Sequence, residues 1–79
     1  MDLRQLFATN LRRIRHARKL SQEALAFDAE IDRVYLSRVE RAVTYVGLEI
    51  IEKLAVKLEV DPAEFFKRPL PRRPARKPK

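Results

Sequence analysis

Apolar residues return every three or four positions through most of this chain. Leu3, Leu6, Phe7, Leu11, Ile14 and Ala17 form one such run, which predicts an amphipathic helix over about residues 3–18 with Asp2 as its N-cap. The next run is Leu25, Ala26 and Ala29. It follows Ser21, a good N-cap, and predicts a short helix over residues 22–29. Ile31 breaks the period, and Asp32 can cap a third helix running to about Arg41, with Leu36 and Val39 turned inward. After Gly47, the sole glycine, come Leu48, Ile51, Leu54, Ala55 and Leu58, which read as a fourth helix. Asp61-Pro62-Ala63-Glu64 then combines a cap, a proline at the first helical position and an acid three residues after the cap. That combination starts a short fifth helix. Nothing alternates with period two over a useful length, so no sheet is expected. The pattern predicts one all-α domain of five helices over residues 1–66.

The periodic pattern ends there. Residues 67–79 read KRPLPRRPARKPK, with prolines at 69, 71, 74 and 78 and Leu70 as the only sizeable apolar residue. Prolines interleaved with like charges cannot form a helix or bury a core, so an extended, mobile tail is expected. The charge follows the same boundary. Eleven bases and eleven acids cancel over residues 1–66, so seven tail bases carry the whole net charge of +7. Within the body, residues 1–41 are net basic and residues 42–66 net acidic, which makes the N-terminal part the expected face for an anionic partner.

Size and composition exclude other chemistry. A chain of 79 residues holds one domain, and at that size roughly 60% of the unfolded surface can be buried. With no cysteine and one histidine, His16, neither disulfides nor an ordinary transition-metal site is expected. No apolar run approaches the ~20 residues of a membrane span, and Met1-Asp2-Leu3-Arg4 lacks the apolar core of a secretory signal. A cytoplasmic protein with no membrane partner is expected. Ser37 has no base to activate it, and there is no glycine-rich phosphate loop. Glu49, Glu52 and Glu59 read as a solvated helix face, with Glu49 and Lys53 spaced for an ion pair. No catalytic residue, cofactor or small-molecule ligand is implied.

Two short helices joined by a tight turn make a helix-turn-helix candidate. In such a pair the second helix can enter a DNA major groove while the first lies across the backbone. Arg33, Val34, Tyr35, Ser37, Arg38 and Arg41 form the outward set, and Leu36 and Val39 the anchors. On pattern alone the outward set also fits ordinary solvated positions of a helical bundle.

The stretch LRRIRHARKLSQEALA, followed by AEIDRVYLSRVER and then EKLAVKLEVDPAEFF, resembles the phage-repressor-like helix-turn-helix family of the Xre or Cro/cI type. The likeness covers about residues 4–66, and IDRVYLS is particularly similar to the small controller proteins of restriction–modification systems. The resemblance implies a lambda-repressor-like fold and a transcriptional regulator that binds an inverted-repeat operator in double-stranded DNA as a homodimer. It implies that Gln22, Tyr35 and Arg41 contact phosphates and that Arg33, Val34, Ser37 and Arg38 face base edges. Arg33 is the first choice for a fork on guanine. It also implies a partly buried Arg15–Glu40 salt bridge that sets the angle of the recognition helix; Leu11, Ile14, Leu36 and Val39 surround both positions by helical spacing.

Three departures from the family pattern stand out. Glu30 and Ala42 occupy positions where glycine is usual, and Tyr45-Val46-Gly47 replaces a common Asn-Pro-Ser. A residue with a side chain at positive φ costs about 1 kcal/mol, so modest stability or altered turns are expected. The change in the loop after the third helix leaves Thr44 only a weak phosphate candidate. For dimerisation, Phe65 and Phe66 are adjacent, so both cannot enter one small core. One of them, with Val43, Leu58 or Val60 nearby, is expected to form an apolar patch against a second copy. Two other roles fit the sequence: an antitoxin of a toxin–antitoxin pair, or a protein-binding adaptor that uses the basic, proline-rich tail.

Overall fold

A computed structural model describes residues 2–68. The described residues form four α-helices and one 3₁₀ helix, with no strand among them. The α-helices are α1 (Leu3–Ala17), α2 (Gln22–Ala29), α3 (Arg33–Glu40) and α4 (Leu48–Leu58), and the 3₁₀ helix spans Pro62–Phe66.

Three α-helices start on a side-chain cap that satisfies an otherwise unpaired amide. Asp2 accepts from the Gln5 amide at 3.0 Å while Gln5 returns the bond to the Asp2 amide. The Gln5 amide holds the Asp2 carboxyl below its usual range. Ser21 accepts from the Ala24 amide at 3.0 Å and Asp32 from the Tyr35 amide at 2.9 Å. Gly47 precedes α4 with φ −82° and has no side chain to contribute.

The four α-helices also end alike. Lys19, Glu30, Ala42 and Glu59 adopt φ of 59°, 57°, 62° and 58°. In each case the next residue's amide donates to the carbonyl five positions back, as in Leu20 to Arg15, Ile31 to Ala26, Val43 to Arg38 and Val60 to Ala55. These left-handed closures cap the orphan carbonyls at the helix end. The turns at Glu30 and Ala42 therefore keep the left-handed form although neither residue is glycine. The sole glycine sits elsewhere, in a conformation any residue can adopt.

α1 packs against α3 and the 3₁₀ helix, and α2 packs against α3 and α4. Phe7, Leu11, Leu25, Leu36, Leu54, Leu58 and Phe65 are each no more than 2% exposed and form the centre of one core. Ile31, in the turn between α2 and α3, is also buried in it. Asn10 is the uncharged one of three buried polar residues among those described, with Arg15 and Glu40. Its amide nitrogen donates to the Phe65 carbonyl at 2.9 Å and to the Lys67 carbonyl at 2.8 Å, tying the chain after α4 back onto α1.

The structure corrects the sequence reading in several places. The fifth segment is a 3₁₀ helix rather than an α-helix. It is five residues long and is followed by extended Lys67; Pro69 in turn disfavours helical geometry at Arg68. α1 stops at Ala17 and α3 at Glu40, each a residue short of the expected end. Leu48, expected on the inner face of α4, is 84% exposed, and Leu3 is 60% exposed. Both occupy the first position of their helices, where no neighbouring element covers them. The expected tail lies outside the described residues except for Lys67 and Arg68.

Candidate nucleic-acid interface

The turn that joins α2 to α3 is three residues long, and each has a separate task. Glu30 reverses the chain in the left-handed region, Ile31 plugs into the core, and Asp32 caps α3. This fixes where α3 begins. Its periodicity then divides its surface. Leu36, Val39 and Glu40 are buried, while Arg33, Val34, Arg38 and the following Arg41 are exposed and Ser37 is partly so. The exposed positions step by one, three or four residues, so they form one stripe along the helix. Arg33, Val34 and Ser37 border a shallow hollow at the start of that stripe.

The stripe is electrostatically one-signed. The only acid of α3, Glu40, is 2% exposed and committed to α1. Its Oε2 accepts from Arg15 Nε at 2.7 Å and its Oε1 from Arg15 Nη2 at 2.8 Å, a two-point fork. Arg15 Nη1 also donates to the Leu20 carbonyl at 2.8 Å, so the guanidinium joins three parts of the chain. Arg12, three residues earlier on the same face of α1, donates to the backbone carbonyl of Glu40. Two arginines of α1 thus grip the C-terminal end of α3, where the helix dipole favours positive charge.

Gln22 also belongs to this network: its Nε2 donates to Glu40 Oε1 at 3.0 Å. The resemblance implies a phosphate contact for Gln22, yet its amide nitrogen here bonds the buried carboxylate. Tyr35 is similarly turned away from the stripe. It is half-buried against the core, and its hydroxyl donates to the Tyr45 carbonyl at 3.3 Å. Thr44 Oγ1 donates to the same carbonyl at 3.3 Å. The Tyr45 ring is 71% exposed, with the Arg4 guanidinium 4.7 Å from its centroid. The sequence reading missed Arg12, Asn10 and the Arg4–Tyr45 pair. A signal existed for Arg12, since it precedes Arg15 by one helical step; none was available for the other two.

The residues expected at a dimer surface separate into two groups. Leu58 and Phe65 are fully buried in the protomer, so their side chains are removed from any surface patch. Phe65 packs against Phe7 with the rings tilted by 49° and their centroids 4.9 Å apart, and Leu58 lies on the inner face of α4. Phe66 remains 38% exposed and Val43 53% exposed, while Val60 is half-buried against the core. Among the described residues no group of side chains could hold a metal ion, and no helix is long and apolar enough to cross a membrane.

The family profile described as helix-turn-helix matches residues 11–65. Control protein C.BamHI of Bacillus amyloliquefaciens is 39% identical over 66 residues, 82% of each chain. The crystal structure of the restriction-modification controller protein C.AhdI from Aeromonas hydrophila superposes with a TM-score of 0.77 at 44% identity. That match covers 80% of this chain and 96% of the other. A hypothetical transcription factor from Neisseria superposes with a TM-score of 0.82 at 40% identity, covering 86% and 78% of the two chains.

Proposed function

The chain belongs to the helix-turn-helix family of DNA-binding transcription regulators, with restriction–modification controller proteins among its homologues, and on that premise we propose that it regulates transcription as a homodimer on an inverted-repeat operator. The observation that carries this reading is the single-signed stripe of Arg33, Val34, Ser37, Arg38 and Arg41, held out by an inner face that is locked to α1. A row of donors on a helix narrow enough for the major groove can contact both base edges and flanking phosphates.

Within the stripe, Arg33, Val34 and Ser37 at the N-terminal end meet base edges, with Val34 placed to touch a thymine methyl. Arg38 reaches a base or a phosphate. Arg41, just beyond the helix, contacts the phosphate backbone, and Tyr35 and Thr44 steady the loop after α3. Two copies related by a two-fold axis would present two such stripes about 34–36 Å apart, one turn of DNA. The similarity to controller proteins favours this role over that of an antitoxin or an adaptor.

Selection from a random pool of DNA duplexes tests the reading. The bound fraction should converge on a two-fold symmetric sequence, and the purified protein should shift that duplex far more strongly than an unrelated one. A pool that never converges, with equal shifts for all duplexes, would remove operator recognition.

A further inference from the structure

Arg33, Val34 and Ser37 border an open hollow of about 160 Å³ at the start of α3. Val34 is 65% exposed and is the one apolar member of a stripe otherwise made of arginines and a serine. Ser37 follows Arg33 by four positions and Val34 by three, so one helical turn places its hydroxyl between the two. Among the described residues neither the Arg33 guanidinium nor the Ser37 hydroxyl has a side-chain partner. The hollow thus brings together three different contacts: a forked donor, an apolar surface, and a hydroxyl that both donates and accepts.

Each contact has a counterpart in the major groove. The fork fits O6 and N7 of guanine, and the apolar surface fits the methyl that thymine carries at C5. Bases of one strand are stacked about 3.4 Å apart, so consecutive side chains can reach consecutive bases. A pyrimidine 5′ of the guanine turns its C5 edge toward the guanine N7, within reach of both residues. Cytosine methylated at C5 presents its methyl at the same place as thymine. The two bases differ at C4, where thymine has an accepting oxygen and cytosine a donating amino group. Ser37 satisfies either, because a hydroxyl rotates to suit its partner. Resting on the operator reading above, we propose that this hollow reads a C5-methylated pyrimidine followed by guanine, and takes thymine and 5-methylcytosine alike. Recognition by this chain is then sensitive to cytosine methylation. A CG step binds weakly when bare and as a TG step does once methylated.

Titration of the full chain with variants of the selected duplex tests the assignment. Thymine, uracil, cytosine or 5-methylcytosine is placed in turn before the guanine whose preference Arg33→Ala relaxes. Thymine and 5-methylcytosine should bind equally. Uracil and cytosine should each bind about 4-fold more weakly per half-site, the contribution of one buried methyl. Val34→Ser should keep the melting temperature, because this side chain is exposed, and should abolish the difference between thymine and uracil. Ser37→Asp should prefer 5-methylcytosine to thymine, since a carboxylate only accepts. A selected site at which uracil binds as well as thymine would overturn the methyl reading and leave operator recognition standing. So would a selected half-site with no pyrimidine–guanine step, or a cytosine whose methylation changes nothing. A pool that never converges would overturn both.

Discussion

Arg33 is the first residue of α3, exposed, and free of any side-chain partner among the described residues. If its guanidinium forks onto a guanine, Arg33→Ala should cost about 1–3 kcal/mol on the selected site and relax the preference at one base pair. Competition binding against single-base variants of the site reads this directly. Equal weakening on every duplex would reassign Arg33 to a phosphate. Glu40 tests a different quality, since it never faces DNA. Four donors converge on its carboxylate and carbonyl from Arg12, Arg15 and Gln22. Removing one partner of such a buried pair strands the other, so Glu40→Ala should cost about 3–5 kcal/mol. Glu52→Ala, at an exposed position on α4, should stay within about 0.5 kcal/mol. Matching urea midpoints for the two variants would contradict the network.

At the scale of elements, the start of a helix was easier to read than its end. Asp2, Ser21, Asp32 and Asp61 each announce a helix by a side chain that can accept an amide, and each does so in the structure. The ends carried no comparable mark, because Lys19, Glu30, Ala42 and Glu59 do the work usually given to glycine. At three of them the next residue, Leu20, Ile31 or Val60, packs on the core and draws the chain round, whereas Val43 after Ala42 stays exposed. The Arg15–Glu40 bridge was legible through the family resemblance, which the apolar neighbours of both residues at helical spacing supported. The same spacing argument misplaced Leu48, since it tells which residues share a face but not whether a neighbour covers that face. Asn10 illustrates a further limit, its partners being carbonyls 55 and 57 residues away that no side-chain pattern encodes. Ala42→Gly should therefore stabilise by about 1 kcal/mol, relieving a left-handed residue of its Cβ. The same change at Ala24, inside α2, should destabilise by about 0.5–1 kcal/mol. Calorimetric melting of the pair checks the opposite signs.

For the molecule as a whole, charge and shape are separately placed. The body is neutral, and the excess of +7 belongs to residues 67–79, of which only Lys67 and Arg68 are described. We propose that these charges lie along phosphates and release counterions, adding affinity without sequence preference. Truncation after Arg68 removes Arg72, Arg73, Arg76, Lys77 and Lys79 but keeps the Lys67 carbonyl that Asn10 holds. The shortened protein should keep its fold and its site preference. Its slope of log K against log salt should become shallower, by about 0.9 for each phosphate no longer neutralised. Titrations at three or four salt concentrations suffice, and an unchanged slope would exclude the tail from DNA binding.

The four glycine-free helix ends also bear on how long each molecule lasts in a cell. At about 1 kcal/mol apiece they take a sizeable share of the roughly 5–15 kcal/mol that holds a small domain folded. A larger fraction of molecules is then open at any moment, and proteases degrade the open form. Where a regulator acts through its amount, rapid clearance lets that amount follow synthesis closely. Replacing Lys19, Glu30, Ala42 and Glu59 together by glycine should lengthen the half-life after synthesis is stopped, and with it the delay before a regulated promoter responds. A pulse–chase comparison would expose the difference.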